Sequence, residues 1–356
     1  MSGNSFGKTL VLTTFGESHG KAVGGVLDGF PSNILIDLDF IQSELNRRRT
    51  GQSLFSSARK EDDRIEILSG LFEGRSTGAP IAFLAQNIDH KTEDYAALKE
   101  TYRPSHADFT YEQKYGIRDY RGGGRSSARE TLARVAGGAF AKLLLNLRGI
   151  SVISYIKQIG PFGIPGDFIL HGLTEISKSQ IGCPHPETEL QIIDHLQKMK
   201  SEGDTAGGII SCIIKDVPVG LGEPVFDKLQ ADLAKALMSI NSAHGFEYGS
   251  GFPCAATKGS ENNDIFIKKD GKITTRTNSS GGIQGGISNG NDITFNVAFK
   301  PVPTLMKDQE SVNKEGETII LKGKGRHDVC VVPRAMVIVE AMAALVIADH
   351  LVRANL

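Results

Sequence analysis

The sequence predicts a folded, soluble protein that mixes β-strands with α-helices. Three observations support this class: a β-branched apolar run over residues 9–15, an amphipathic helical pattern over 127–148 and an apolar helical pattern over 333–351. Apolar residues form 40% of the 356 residues and charged residues 23%, which is ordinary for a globular protein. A typical domain length of about 150 residues suggests two domains, although large single domains also reach this size.

The first elements follow from local patterns. Residues 9–15 and 23–27 are apolar and predict two strands. Asp37 or Asp39 can cap a helix that runs to about Arg49. A polar loop is expected over 50–64. Further strands are predicted at 65–71, 80–85, 151–159, 208–216 and 293–299, and a further helix at about 225–240.

The clearest helix is predicted over 127–148, where Ser127 and Glu130 form a Ser-x-x-Glu capping box and Gly149 supplies a stop. The stretch 335–348 contains Glu340 and is too short to span a bilayer, so we expect a buried helix. Residues 245–292 are rich in Gly, Ser and Asn and predict a long loop region with short strands.

Composition excludes several classes of protein. The formal net charge of −1 argues against a general nucleic-acid or membrane-surface binder, which would need a basic surplus. The N-terminus has no long apolar run, so we expect no secretory signal and a cytoplasmic protein. The four cysteines contain no CxxC pair and predict reduced thiols rather than a metal site. Cys183 and His185 lack the further ligands that a metal would need.

The strongest functional signal lies between Tyr115 and Thr131, where three consecutive glycines precede the capped helix. A glycine loop that enters a helix offers free N–H groups and the positive end of the helix dipole. Arginine adds bidentate donors for phosphate or carboxylate. The pattern therefore predicts a pocket for multiply anionic ligands, with a solvated arginine face as the alternative. The arginines in and after this segment are Arg118, Arg121, Arg125, Arg129 and Arg134.

Two loop histidines are candidates for proton transfer. His19 lies between small residues at a strand end, and His106 follows Arg-Pro-Ser in a turn. Asp328 beside His327 could orient a neighbour, or it could form a simple ion pair. The sequence contains no Ser-His-Asp elbow, Walker loop or GxGxxG after a strand, which disfavours an ordinary hydrolase, kinase or Rossmann dehydrogenase.

Taken together, these segments resemble the chorismate synthase family, and the resemblance covers essentially the whole chain in family order. It implies an α+β fold over residues 1–356, a single large domain with a helical core sandwiched between two antiparallel β-sheets. The matching segments are FGESHG (15–20), DGFPS (28–32), LNRRR (45–49), TYRPSHADFTYEQKYGIRDYRGGGRSSARET (101–131), GGIQGGISNG (281–290), FKPVPT (299–304) and GRHDVCVVPRA (325–335).

The resemblance implies a lyase that converts 5-enolpyruvylshikimate 3-phosphate to chorismate by 1,4-anti elimination of phosphate. This is the last common step of the shikimate pathway to the aromatic amino acids. The family requires reduced FMN although the reaction has no net redox change. The phosphates and carboxylates of substrate and FMN account for the arginines. Since the chain lacks an added reductase segment, we expect a monofunctional enzyme that receives reduced FMN from a separate flavin reductase. By the same resemblance we expect a homotetramer, with no nucleic-acid or membrane partner.

The same resemblance assigns roles to individual residues. It places His19 near the flavin, makes His106 the acid for the leaving phosphate and makes Asp328 the partner of flavin N5. The implied substrate-binding residues are Ser18, Arg48, Arg103, Arg129 and Arg134. The implied flavin-binding residues are Arg125, Ser126, Ser127, Asn241, Ser242, Gly285, Lys300, Pro301, Val302, Pro303, Thr304 and Arg326.

The chain also departs from the family pattern. Leu54 stands where the family often has an arginine associated with nicotinamide contact, which weakens an expectation of NADPH binding. Val329 and Val337 stand where proline is common.

Two other hypotheses compete with this one. An RNA-binding module is suggested by the RGG-like residues 120–125, but such tracts are repeated and basic elsewhere. An inactive flavin carrier would require the loss of His19 or His106.

Overall fold

The longest helix, Val332–Arg353, lies in the middle of the protein and is buried along most of its length in the computed structural model. The structure describes residues 3–49, 63–87, 98–166, 168, 170, 173–323 and 328–355. This helix is long and apolar enough to cross a membrane, but 94% of its most apolar window is buried inside the protein. It is therefore the core helix that its composition predicts.

Several of the described helices pack against this central element. The α-helices, in chain order, are α1 (Leu38–Arg48), α2 (Asp108–Tyr115), α3 (Thr131–Asn146), α4 (Leu173–Lys178), α5 (Pro186–Glu202), α6 (Leu229–Met238), α7 (Gly259–Asn262) and α8 (Val332–Arg353). Short 3-10 helices span Gly124–Ser126, Ala128–Glu130 and Phe252–Ala256.

Within the described ranges, two five-stranded antiparallel sheets form the outer layers. The first contains β1 (Ser5–Phe6), β2 (Val11–Gly16), β3 (Ala22–Asp28), β4 (Glu66–Ile67) and β5 (Ile81–Gln86), in the order β1-β2-β3-β5-β4. The second contains β6 (Ser151–Ile159), β7 (Phe162–Gly163), β8 (Gly208–Lys215), β9 (Ala243–Tyr248) and β10 (Ile293–Phe299), in the order β9-β10-β8-β6-β7. Two-stranded hairpins pair Leu71–Phe72 with Arg75–Ser76, Phe266–Lys269 with Lys272–Thr275, Ile283–Gln284 with Ile287–Ser288, and Gln309–Val312 with Thr318–Leu321.

Helices α3 and α8 lie between the two sheets. Helix α3 packs against α8 and also contacts β2 and β3 of the first sheet, while α8 contacts β6 and β8 of the second. Gly138 allows the two helices to approach, since a Cβ there would lie 2.3 Å from the Cβ of Ala341. The α+β fold with a helical layer between antiparallel sheets is therefore confirmed.

Most of the expected elements are present. Asp37 caps α1 by accepting a hydrogen bond from the Phe40 amide at 2.9 Å, and Ile41 and Leu45 are fully buried. The predicted capping box is only half formed. Ser127 accepts from the Arg129 amide at 3.4 Å, but Glu130 pairs with Arg134 instead, and the α-helix starts at Thr131 after a 3-10 turn.

Some boundaries were wrong. The strand predicted over 65–71 is two short strands, because Gly70 takes φ +87° and interrupts it. The helix predicted at 225–240 starts only at Leu229, since Glu223 bridges to Asp227 in the preceding turn. The loop region 245–292 contains two hairpins and two short helices, a 3-10 and an α-helical segment.

Helix α5 had no counterpart in the sequence prediction. It starts with Pro186 in its first turn, and His185 caps it by accepting from the Thr188 amide at 3.3 Å. The Cys183 thiol contacts the carbonyl of His185 at 3.7 Å, and burial raises the pKa of this thiol to about 11. The pair thus has a structural role at the start of a helix.

Candidate active site

The triglycine loop packs directly against a predicted catalytic histidine. All three residues, Gly122 to Gly124, have positive φ values between +55° and +87°. A Cβ on Gly122 would lie 2.3 Å from Cε1 of His19, so only glycine fits there. The sequence motif that suggested a phosphate-binding loop therefore also forms one wall around His19.

His19 is 5% exposed. The Ser18 hydroxyl lies 3.0 Å from its Nδ1 and orients the ring. Asn87 fixes the surrounding loop by donating to the carbonyls of Glu17 at 2.9 Å and Gly20 at 2.8 Å. A cavity of about 510 Å³ opens here, lined by His19, Gly20, Lys21, Ala22, Leu84, Gln86 and Asn87.

Two predicted substrate-binding arginines meet in one buried cluster. Asp63 forms ion pairs with both Arg48 and Arg129, using one carboxylate oxygen for each. Burial would raise the pKa of Asp63, yet the two guanidinium groups hold it below its usual value. Arg129 also donates from Nε to Asn87 at 3.0 Å, which connects this cluster to the His19 loop.

His106 is fixed on both ring nitrogens. Its Nδ1 lies 3.0 Å from the carbonyl oxygen of Pro104, which can only accept, so Nδ1 carries a proton. Its Nε2 lies 3.0 Å from the Thr304 hydroxyl, which can donate or accept. Nε2 is therefore the nitrogen that gains or loses the proton. Lys300 donates to the carbonyl of Ser105 at 3.1 Å and holds the two segments together.

Arg103 is bound by a carboxylate that the sequence analysis did not single out. Asp108, in the first turn of α2, accepts from Nε and Nη2 of Arg103 at 2.8 Å each. Arg118 approaches the same carboxylate at 3.1 Å. Burial would raise the pKa of Asp108, but its hydrogen bonds and charge contacts to Arg103 lower it overall. Arg103 is thus oriented before any ligand binds.

Asp328 is connected to the arginine cluster through Arg334. It forms an ion pair with Arg334 in the first turn of α8 and is 8% exposed. Nε of Arg334 donates to the backbone carbonyl of Arg48 at 3.2 Å. The ion pair that the sequence left open for Asp328 is present, and it ties this residue to the end of α1.

Several expected flavin-binding residues form a continuous seam. Asn241 donates to the carbonyl of Ser126 at 2.9 Å, and Lys300 donates from its amide to the carbonyl of Ser242 at 3.0 Å. The Oδ1 atom of Asn241 is buried and has no hydrogen-bond partner among the residues the structure describes. Ser126 donates to Gly123 at 2.7 Å. This seam connects the glycine loop with the segment that holds His106.

Other expected residues are engaged differently. Arg125 turns its guanidinium toward the first sheet, with its shortest hydrogen bond, 2.7 Å, to the Thr14 hydroxyl. Arg134 pairs with Glu130 and donates to Ser239 at 2.7 Å. Within the segment that carries Lys300 and Thr304, the carbonyl of Val302 accepts from Thr205 at 2.8 Å, and Pro301 and Pro303 belong to the same segment.

Gly285 lies in the hairpin Ile283–Ser288, where Gly286 accepts from the Leu229 amide at the start of α6. Asn241 follows the other end of that helix, about 15 Å away along its axis. Arg326 and Leu54 lie outside the described residues.

Sequence reasoning missed four residues that organise the site: Asp63, Asn87, Asp108 and Arg334. Asp63 ends a run of three acidic residues in a stretch that was predicted as loop. Asp108 lies five residues after Arg103 at a helix start, which is a detectable signal for a local ion pair. Asn87 and Arg334 form hydrogen bonds with residues that are distant along the chain, so no local sequence pattern marks them.

The fold and this site define an enzyme that binds a multiply anionic small molecule and transfers protons. Buried Arg129 is linked through Asn87 to the loop of His19, which lines a cavity, and this joins an anion-binding group to a proton carrier. The RGG-like residues 120–125 pack against His19 as a turn, unlike an extended RNA-binding tract.

Comparisons with known proteins agree with this class. A model of the family described as chorismate synthase matches residues 10–352. The chorismate synthases of Bacteroides thetaiotaomicron and Phocaeicola vulgatus are 57% and 56% identical over 347 residues, covering 98% of this chain and 97% of each relative. A crystal structure of chorismate synthase matches with a TM-score of 0.78 at 30% identity, covering 98% of this chain and 93% of that one.

The chain belongs to the chorismate synthase family. Its activity is that of a lyase that eliminates phosphate from 5-enolpyruvylshikimate 3-phosphate to give chorismate, in the shikimate pathway to aromatic amino acids. The family is one of flavin-dependent, soluble biosynthetic enzymes. The resemblance found in the sequence is therefore confirmed.

Proposed function

We propose that the chain performs this elimination with reduced FMN, using His19, His106 and Asp328 as its catalytic residues. The observation that carries the proposal is the convergence of the Arg48–Arg129 pair with the His19 loop through Asn87. That arrangement joins an anion site to a proton carrier. We further propose that residues 1–356 act as one domain, in the cytoplasm and as a homotetramer.

The residues near the glycine loop fit a flavin. Asn241 Oδ1 is a buried acceptor without a partner in the described chain, and a flavin ring N–H would satisfy it. The positive φ values at Gly122 to Gly124 let backbone approach a ligand closely. Reduced FMN, when bound, would supply electron density to the substrate as phosphate leaves. The residues proposed to hold it are Arg125, Ser126, Ser127, Asn241, Ser242, Gly285, Lys300 to Thr304 and Arg326.

His106 is suited to act as the acid for the departing phosphate. Because the Pro104 carbonyl fixes the proton on Nδ1, protonation of Nε2 gives the imidazolium that can donate. The Thr304 hydroxyl at 3.0 Å orients Nε2 and can rotate to accept from it when it is protonated. On this basis Thr304 acts through His106 in addition to its proposed contact with the flavin.

The phosphate and carboxylate groups of the substrate are proposed to bind the arginines of the candidate site. Arg48 and Arg129 are buried and close together, while Arg103 and Arg134 are each oriented by a carboxylate. Ser18 supports His19 through Nδ1. Asp328 is held by Arg334, which also contacts the backbone of Arg48. A separate flavin reductase would supply reduced FMN, and Leu54 disfavours direct use of NADPH.

The decisive experiment supplies 5-enolpyruvylshikimate 3-phosphate anaerobically with chemically reduced FMN and measures phosphate and chorismate. We expect turnover with reduced FMN and none with oxidised FMN. Turnover that is independent of the flavin would contradict the cofactor assignment. Activity with NADPH and oxidised FMN, without another reductant or a reductase, would contradict the need for a separate reductase.

Replacement of His106 by alanine tests its role. We expect turnover to fall by about 10²–10⁴-fold, the usual contribution of a general acid, while FMN affinity stays nearly unchanged. His244→Ala is the control, because this histidine is exposed on β9. Loss of FMN binding in His106→Ala would show that His106 holds the flavin instead.

A further inference from the structure

Arg118 belongs to the arginine-rich segment that the sequence marks for anion binding, but its contacts are with the protein itself. Its side chain is only 5% exposed. Its Nε donates to the carboxylate of Glu112 at 3.0 Å, and its Nη1 lies 3.1 Å from the carboxylate of Asp108. Because the guanidinium faces two carboxylates of the protein in a buried position, Arg118 is not placed to bind an anion of the ligand.

The other terminal nitrogen of Arg118 fixes the backbone that leads to Arg103. Its Nη2 donates to the carbonyl oxygens of three residues, at 2.8, 3.0 and 2.7 Å, and these are Leu98, Lys99 and Thr101. The planar fork of an arginine can hold a carboxylate and a chain segment at the same time. Arg118 therefore ties the segment 98–103 to the carboxylates of α2.

The same segment is held on its other side by the hairpin that spans residues 309–321. The Tyr102 amide donates to the carbonyl of Val312 at 3.2 Å. The hairpin is in turn tied to α2, because Lys314 forms an ion pair with Glu112 at 2.7 Å. The backbone before Arg103 is thus fixed by two elements that Glu112 connects.

Arg103 lies at the end of this segment and is constrained in two ways. The His106 amide donates to the Arg103 carbonyl at 3.2 Å and closes a turn, in which Ser105 takes φ +57°. In the side chains, one oxygen of Asp108 lies 2.8 Å from Nη2 of Arg103 and 3.1 Å from Nη1 of Arg118. A displacement of Arg118 would therefore reach Arg103 both through the backbone and through the shared carboxylate.

We propose that Arg118 is a positioning residue for substrate binding, which orients Arg103 through Asp108 and through the segment 98–103. This rests on the proposed function, which makes Arg103 a substrate-binding residue. Arg118 acts through Arg103 rather than on the substrate. Without it, Arg103 keeps its charge but samples more orientations, and an arginine that must be ordered on binding gives a lower affinity than one that is ordered beforehand.

The test is a double-mutant cycle on the full-length protein with oxidised FMN bound, in which calorimetry gives the dissociation constant of 5-enolpyruvylshikimate 3-phosphate. Arg118→Met should weaken substrate binding by about tenfold when Arg103 is present. In the Arg103→Met background it should weaken binding by less than about twofold, because the residue that it positions is gone. A tenfold loss in both backgrounds, or in neither, would overturn the proposal.

Arg353→Met is the matched control. This arginine also contacts two carboxylates, those of Glu223 and Asp227, and its side chain is 11% exposed. We expect its substitution to leave the dissociation constant of the substrate within about twofold of the wild type. A loss equal to that in Arg118→Met would show that any buried arginine gives the effect, which would contradict a positioning role.

Two further readouts separate the possible failures. The affinity for FMN should stay within about twofold in Arg118→Met, and an FMN loss as large as the substrate loss would mean general disruption and overturn the proposal. If Arg118→Met does not fold, Arg118→Lys takes its place in the same cycle with the same criterion, because lysine keeps the charge but lacks the planar fork.

The single variant Arg103→Met distinguishes this inference from the function on which it rests. Unchanged substrate affinity in Arg103→Met would overturn the substrate-binding role of Arg103, and this inference with it. A loss of affinity in Arg103→Met without one in Arg118→Met would overturn this inference alone.

Discussion

Arg47 and Arg48 are neighbours on α1, yet they belong to two different buried clusters. Arg47 joins Glu44, Lys142 and Glu340, where two positive and two negative charges are balanced. Arg48 joins Arg129 and Asp63, and Arg129 is linked through Asn87 to the His19 loop. The first cluster holds α1 to α3 and α8, whereas the second joins α1 to the candidate site, so burial alone does not separate a structural cluster from a ligand-binding one.

The balanced cluster satisfies its central carboxylate fully. Glu340 accepts from Arg47 at 2.7 and 2.8 Å, from Lys142 at 2.6 Å and from the Ser154 hydroxyl at 2.7 Å. Burial alone would raise the pKa of Glu340, but Lys142 and Arg47 lower it to about 2. A cavity of about 580 Å³ borders this cluster, yet the charges of the cluster are already paired with one another.

The largest expected effect comes from breaking the balanced cluster. Glu340→Gln leaves Arg47 and Lys142 with a single compensating carboxylate in a buried position. We expect the free energy of unfolding to fall by about 3–5 kcal/mol, measured by urea denaturation. Glu202→Gln, which removes an exposed ion pair with Lys198, should cost less than about 0.5 kcal/mol. A loss below about 1 kcal/mol in Glu340→Gln would mean that the cluster is not structural.

Acid pH should also lower the free energy of unfolding that the Glu340 cluster contributes, without any substitution. The pKa of Glu340 is about 2 in the folded protein against 4.5 for a free side chain, so the unfolded state takes up its proton first as pH falls. The stabilisation is therefore present above about pH 4.5 and lost as pH falls toward 2, amounting to about 3 kcal/mol. Urea denaturation at pH 6 and pH 3 should show about 2 kcal/mol of this loss, because the folded-state pKa lies below pH 3. Glu340→Gln should lack this part of the pH dependence, and an unchanged profile would contradict the assignment.

A smaller effect is expected from alanine substitutions at two glycines that have positive φ values. Gly122→Ala adds both left-handed strain at φ +69° and a clash with the His19 ring. Gly116→Ala adds only the strain, at φ +72° and with no atom within 4 Å of the new Cβ. We expect each to cost about 1 kcal/mol in strain, and Gly122→Ala alone to lose more than about tenfold in turnover. Equal activity in both variants would mean that the loop does not position His19.

Much of the fold could be predicted because its signals are local. The Asp37 cap of α1 and the apolar spacing of α1, α3 and α8 define these helices within a few residues, and the β-branched runs define the central strands. Helix α5 was not predicted from the sequence, because its apolar face is only partly buried. Ile192 and Leu196 point inward, but Leu190 is 65% exposed. The order of strands in each sheet depends on long-range pairing that no local pattern carries.

The site was predictable in its parts but not in its connections. Arginines and glycines near residue 122 indicated an anion pocket, but the contact of Gly122 with His19 spans about a hundred residues of chain. The roles of the arginines depend on carboxylates elsewhere: Asp108 orients Arg103, and Asp63 joins Arg48 to Arg129. The sequence motif gives the residue types, and only the fold decides which charges are compensated.

The central claim is that Arg47 and Arg48 have different functions, and one paired measurement tests it directly. Arg47→Met and Arg48→Met are compared for free energy of unfolding in urea and for phosphate affinity by calorimetry. We expect Arg47→Met to lose about 2 kcal/mol of stability while its affinity stays within about twofold. We expect Arg48→Met to bind phosphate more than about tenfold more weakly. Equal phosphate affinity in the two variants would contradict the distinction between a structural and a ligand-binding cluster.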